Sequence, residues 1–285
     1  MSMKKSVSAL GLAALVLLAA SACSSGGGST QSDGNGSAQT AEMEHIHGIG
    51  VDPENGAVYA GTHYGLFRIE DGTATRVSEV QDFMGFTVAG SDHFLASGHP
   101  GEGQGGHSSV GLIESTDGGQ TWRELSLAGE ADFHALEYRH GRVYGLNSMT
   151  GQLLVSEDKE SWQELSGEPI ADFAVSPEDP DALIATTEQG LVQSADGGRT
   201  FEAVSDAPLM VFVGWAEDGT LAGVTPEGVL YTADAPDGGW TERGNVGGQP
   251  EALTVHSADE IYAATDGTVL VSTDGGTTFR PTIAQ

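Results

Sequence analysis

Apolar residues fall in three regimes along this chain. Ala9 to Ala20 is one continuous apolar run behind a short basic start with Lys4 and Lys5. Residues 24–41 hold no large apolar side chain at all. From Met43 onward, apolar residues come in short segments, alternate with polar ones, and are separated by Gly, Asp and Asn. Alternation with period two and frequent turn residues predict strands throughout this third region, with no helix. In its first part the predicted strands are His45–Val51, Ala57–Gly61, Leu66–Ile69 and Thr75–Ser78. A later part repeats the set with Phe133–Tyr138, Arg142–Leu146, Leu153–Ser156 and Trp162–Leu165.

The strand pattern is periodic. Ser115-Thr116-Asp117-Gly118-Gly119-Gln120-Thr121-Trp122 is matched by the stretches opening at Ser194 and Ser272, and weaker copies open at Ser156 and Thr232. These starts, at 115, 156, 194, 232 and 272, lie 41, 38, 38 and 40 residues apart. A further unit without a clear box precedes them around Gly65–Gly72. The motif resembles the Asp-box (BNR) repeat, S-x-D-x-G-x-T-W, of sialidase-like and sortilin-like β-propellers. That resemblance implies an all-β fold: a six-bladed propeller of four-stranded antiparallel blades over residues 43–285, with the first strand (a) of each blade around the axis. The box itself reads as a fold device, because Asp accepts backbone N–H bonds in a tight hairpin and Gly takes positive φ. Each blade is complete in sequence order, so closure needs no strand exchanged between the chain ends.

In a meandering blade the a–b and c–d connections share one face, and the b–c and d–a connections share the other. Every box is a c–d connection. Aligning the starts of the a strands sets His47 against Met84, His134, Ala171, Val211 and Glu251. It likewise sets His45 against Asp82, Asp132, Pro169, Leu209 and Gln249. The b–c loops of the same face carry His63 and Tyr64 in blade one and Met149 in blade three, and a long blade-two insert runs from His99 to Ser109 through His107. Met43, His45 and His47 alternate, which on a strand would aim all three to one side.

His45, His47, His63, Met84, His99, His107 and His134 are therefore the candidate metal ligands, with Asp82, Asp132, Tyr64, Met149 and Glu251 as binding residues. Imidazole with thioether suits copper, and imidazole with carboxylate suits zinc. A peptide or glycan ligand is the alternative. The resemblance also raises glycoside hydrolysis, since bacterial lipoproteins with this repeat are often labelled glycosyl hydrolases. Sialidases clamp their substrate with three arginines, however, and no arginine here falls on the candidate mouth. A neutral-sugar hydrolase using Asp82 and Asp132 remains as the enzymatic alternative.

Charge and cysteine count narrow the setting. The 285 residues include 11 Lys+Arg against 41 Asp+Glu, for a net charge of −30. Nucleic acid and anionic membrane surfaces are thereby poor partners. The single cysteine, Cys23, rules out an internal disulfide. It follows Ser21-Ala22 at the end of the apolar run, as in a bacterial lipobox. The expectation is a signal peptide over residues 1–22, a lipidated Cys23 opening a flexible tether to residue 42, and an extracytoplasmic monomer held at the cell membrane by lipid alone.

Overall fold

The computed structural model describes residues 43–79 and 81–283. The predicted signal peptide, Cys23 and tether lie outside the described residues.

The described chain folds into six four-stranded antiparallel sheets, each made of four strands in sequence order. Blade one comprises Ile46–Val51, Val58–Thr62, Gly65–Glu70 and Thr73–Arg76. Blade three comprises Phe133–Arg139, Arg142–Asn147, Gln152–Ser156 and Gln163–Glu164. The six-bladed propeller expected from the repeat is therefore present. Blades one and six each supply all four of their own strands, so the ring closes without exchange. The outermost strands of blades three, four and six are two residues long and exposed. Short edge strands of this kind leave little unpaired backbone for another chain to join.

The core is divided by interface. Six apolar clusters each join two neighbouring blades. Leu95 and Leu112 of blade two pack with Phe133 and Val143 of blade three, all fully buried. Closure uses the same logic, since Ile46, Ala60 and Phe67 of blade one pack with Tyr262, Ala264 and Val269 of blade six. Polar stitches reinforce it. Thr254 Oγ1 donates to the Ile49 carbonyl at 2.7 Å, and the Ile46 N–H donates to Glu251 Oε2 at 3.1 Å.

The Asp boxes act as fasteners between blades. In each full copy the Ser hydroxyl accepts the N–H of the second Gly, and both Asp oxygens are taken up by the Thr four residues on. That second glycine has φ near +80° in every full copy, at Gly119, Gly198 and Gly276. It also abuts the third strand of the preceding blade: a Cβ on Gly119, Gly198 or Gly276 would sit 2.3, 3.0 or 2.1 Å from Leu66, Leu153 or Leu230. The motif thus needs glycine twice over, for its backbone and for its neighbour. Box aromatics pack on the inner strand of their own blade, with Trp122 against Phe83 and Trp162 against Phe133, each at a centroid distance of 5.0 Å.

Candidate metal centre at the channel mouth

The innermost strands share a local irregularity that sequence alternation does not reveal. In blade one the pairing register jumps between Ile46 and Gly48, leaving His47 as the extra residue of a β-bulge. The same bulge falls on Met84, His134, Ala171 and Glu251 in blades two, three, four and six. The positions aligned from sequence are therefore the same bulge in five blades. A bulge re-aims one side chain at the rim of a barrel or propeller. His47, His134 and Ala171, on three of these bulges, border the central cavity.

The trio Met43, His45 and His47 does not share a face, contrary to the alternation. The strand begins only at Ile46, and His45 stands before it with φ +52°. Met43 is buried in the cluster between blades six and one. The left-handed residue and the bulge nonetheless bring the two imidazoles together: the rings of His45 and His47 stack at 5.2 Å with planes 6° apart. His63, from the b–c loop of the same blade, meets His47 edge-on at 4.6 Å. Its Nε2 lies 3.3 Å from His47 Nε2. One donor nitrogen from each of His45, His47 and His63 lies within 4.8 Å of the other two.

Carboxylates hold the imidazoles in place. Asp82 Oδ1 pairs with His63 Nδ1 at 2.7 Å, and its Oδ2 pairs with His99 Nδ1 at 3.0 Å. The chain of contacts continues through Asp132 Oδ2, which faces His99 Nε2 at 3.5 Å, His134 Nε2 at 2.9 Å and the Ser148 hydroxyl at 3.0 Å. Ser148 is a member of this network that sequence reading missed; its place in a b–c loop was the available signal.

Electrostatics follow the same map. Burial, then repulsion from His63 and His45, lowers His47 to about 4, so its imidazole is neutral at ordinary pH. Burial pushes Asp132 up, but bonding to His134 and Ser148 and the His99 charge outweigh it, and the net shift is downward. A general acid of a glycosidase needs the opposite shift.

The remaining candidates are dispersed. His107 is exposed and lies against Gly129, where a Cβ would come within 2.6 Å of its ring. Tyr64 and Met149 are exposed on the b–c loops. Glu251 is engaged by the backbone N–H groups of Ile46 and Gly267 and so braces the blade that carries the histidines.

Below the mouth runs a cavity of about 310 Å³, bordered by His47 and His134 and continuing past Glu137, Asp172 and Arg139. Arg139 joins Glu137 at 2.8 Å and Glu217 at 2.9 Å. Burial pushes Asp172 up to about 7, against the N–H bonds it accepts from Val213 and Phe173. These bore carboxylates also went unread in the sequence. They tie blade to blade, since Glu137 accepts from the Val175 N–H and Asp172 from the Val213 N–H.

Comparison with known proteins agrees with this architecture. The family model for the BNR/Asp-box repeat matches residues 113–124. No curated protein matches the sequence. Among solved structures, YCF48 bound to D1 peptide is similar at TM-score 0.52 and 18% identity, over 85% of this chain and 83% of that one. A gluconolactonase from Xanthomonas campestris is similar at TM-score 0.65 and 12% identity, over 81% and 86% of the two chains. A GH74 xyloglucanase from Xanthomonas campestris is similar at TM-score 0.54 and 18% identity, with 84% of this chain covering 45% of that one. At these identities the likeness is one of fold, shared by proteins of differing activity. The chain is a six-bladed β-propeller built on BNR/Asp-box repeats.

Proposed function

We propose that this propeller is an exported, lipid-anchored binding module whose mouth holds a transition-metal ion on His45, His47 and His63, with copper as the ion and zinc as the alternative. The convergence of three imidazole nitrogens within 4.8 Å carries the reading. The 3.3 Å between His47 Nε2 and His63 Nε2 fits it closely. Two nitrogens each about 2.0–2.1 Å from an ion, at a tetrahedral angle, stand about 3.3 Å apart. His47 is neutral and so offers its lone pair. Asp82 occupies His63 Nδ1 and leaves Nε2 for the ion, the usual carboxylate–histidine support of a metal ligand.

Three protein ligands leave a fourth place open, and His45 is exposed to solvent. An ion held this way exchanges more readily than one in a closed four-ligand structural site, which favours capture and delivery over a structural role. The test is titration of the purified chain with copper and with zinc, beside a variant with His45, His47 and His63 all changed to Ala. One equivalent bound by the native chain and none at this site in the variant is expected. Equal metal content in the two proteins removes the reading. Anchoring is tested separately by radiolabelled palmitate incorporation, which Cys23→Ala should abolish.

A further inference from the structure

The face that carries the histidines differs in charge from the face that carries the boxes. No Lys or Arg occurs in any b–c loop or d–a connection of residues 43–285. Carboxylates occur in every sector of that face: Glu79, Glu130, Glu168, Glu188, Glu227 and Asp266 are all exposed on these loops. Among the described residues none of the six takes part in an ion pair. The opposite face does hold cations, with Arg142 at the a–b hairpin and Lys159 and Arg199 in c–d connections.

The large exposed apolar side chains follow the same division. Tyr64, Met149 and Leu209 are 46%, 57% and 49% exposed. Tyr64 lies in the b–c loop of blade one, Met149 in that of blade three, and Leu209 in the connection leading into blade five. They therefore stand at alternate blades around one mouth. Single exposed apolar residues are ordinary on a protein surface. Here all three stand on one face, in loops that carry no Lys or Arg.

We propose that the mouth face is a docking surface for a protein partner through an extended cationic segment, which crosses the mouth with apolar side chains anchored on Tyr64, Met149 and Leu209. Charge complementarity selects the occupant: Lys and Arg of the segment meet unpaired carboxylates in every sector, which speeds encounter and excludes acidic chains. The apolar anchors fix its placement, since a few aromatic and Met side chains dominate affinity at such surfaces. The proposal does not depend on a metal at the histidines, and its test is run in chelator.

The probes are two synthetic peptides of equal charge, one alternating Lys with Leu and the other alternating Lys with Ser. Binding to the full chain is followed by fluorescence anisotropy at two salt concentrations. A second protein carries Tyr64→Ser, Met149→Ser and Leu209→Ser, exposed positions whose replacement should leave the thermal melt unchanged. The Lys/Leu peptide should bind the native chain at least tenfold more tightly than the Lys/Ser peptide. It should also bind the triple variant at least tenfold more weakly, and weaken as salt rises. Amide exchange should slow in the loops around residues 62–65, 147–151 and 204–211. Equal binding of both peptides, native-like binding by the triple variant, or protection confined to the Asp-box loops would each overturn the proposal.

Discussion

Changing Glu114 to Gln tests how this propeller joins blade two to blade three. The Glu114 side chain is only 9% exposed, yet two cations and an imidazole converge on it: Arg123 Nη2 at 2.6 Å, Lys159 Nζ at 2.7 Å and His93 Nε2 at 2.9 Å. Lys159 comes from the degenerate box of blade three, so the carboxylate bridges the two blades. Burial opposes its ionisation, but the bonds from Lys159 and His93 outweigh burial and lower it from 4.5 to about 2. A shift of that size corresponds to about 3 kcal/mol of stability while the carboxylate is ionised in both states. Because the folded value is the lower one, the contribution is complete above the unfolded value and is lost as pH falls through the folded one. It should shrink to about 1.4 kcal/mol at pH 3 and vanish below pH 2. Glu114→Gln keeps the shape and removes the charge. Urea unfolding followed by tryptophan fluorescence should show a deficit of about 3 kcal/mol at pH 7 that holds to about pH 5 and is roughly halved by pH 3. A deficit below about 1 kcal/mol at pH 7, or one of equal size at both pH values, would refute the argument.

Other outcomes follow from single features of the molecule. Asp172 has a folded value raised to about 7, so its contribution to stability is present below the unfolded value near 3.8 and is lost as pH rises through 7. Native protein should therefore lose about 2–3 kcal/mol between pH 5 and pH 9, and chemical unfolding of Asp172→Asn should show that dependence flattened. Gly85 lies where the inner strands of blades two and three meet, and an added Cβ would stand 2.4 Å from the Phe133 carbonyl oxygen. Because that neighbour is backbone, Gly85→Ala should cost about 1–3 kcal/mol in thermal or urea unfolding. Asp82→Asn should weaken metal binding by about 10–100-fold in competition titrations without removing the site, because it frees His63 to turn.

What the sequence discloses here follows from which features are local. The Asp box is local: its Ser, Asp, Gly and Thr bond one another within a few residues, so the motif alone reports the hairpin and, by its spacing, the blades. The six-bladed count and the closure without strand exchange follow from that spacing. The histidine cluster was legible in part, because positions aligned across blades share one environment. Alternation failed at Met43, since a turn at His45 and a bulge at His47 break the period of two, and Met43 turns into the interface between blades six and one. The roles of Glu251, Glu137 and Asp172 could not be read at all. Each bonds a backbone group of a neighbouring blade, and such a partner has no residue type to recognise.

The central claim is that His45, His47 and His63 hold one ion together. X-ray absorption on the copper-loaded and zinc-loaded chain measures this directly, because it reports the number, type and distance of the donor atoms. The account predicts three imidazole nitrogens at about 2.0 Å and one exchangeable oxygen donor. Mutating His63 to Ala should reduce the imidazole count to two. A spectrum dominated by carboxylate oxygen, or one unchanged in the His63 variant, would contradict it.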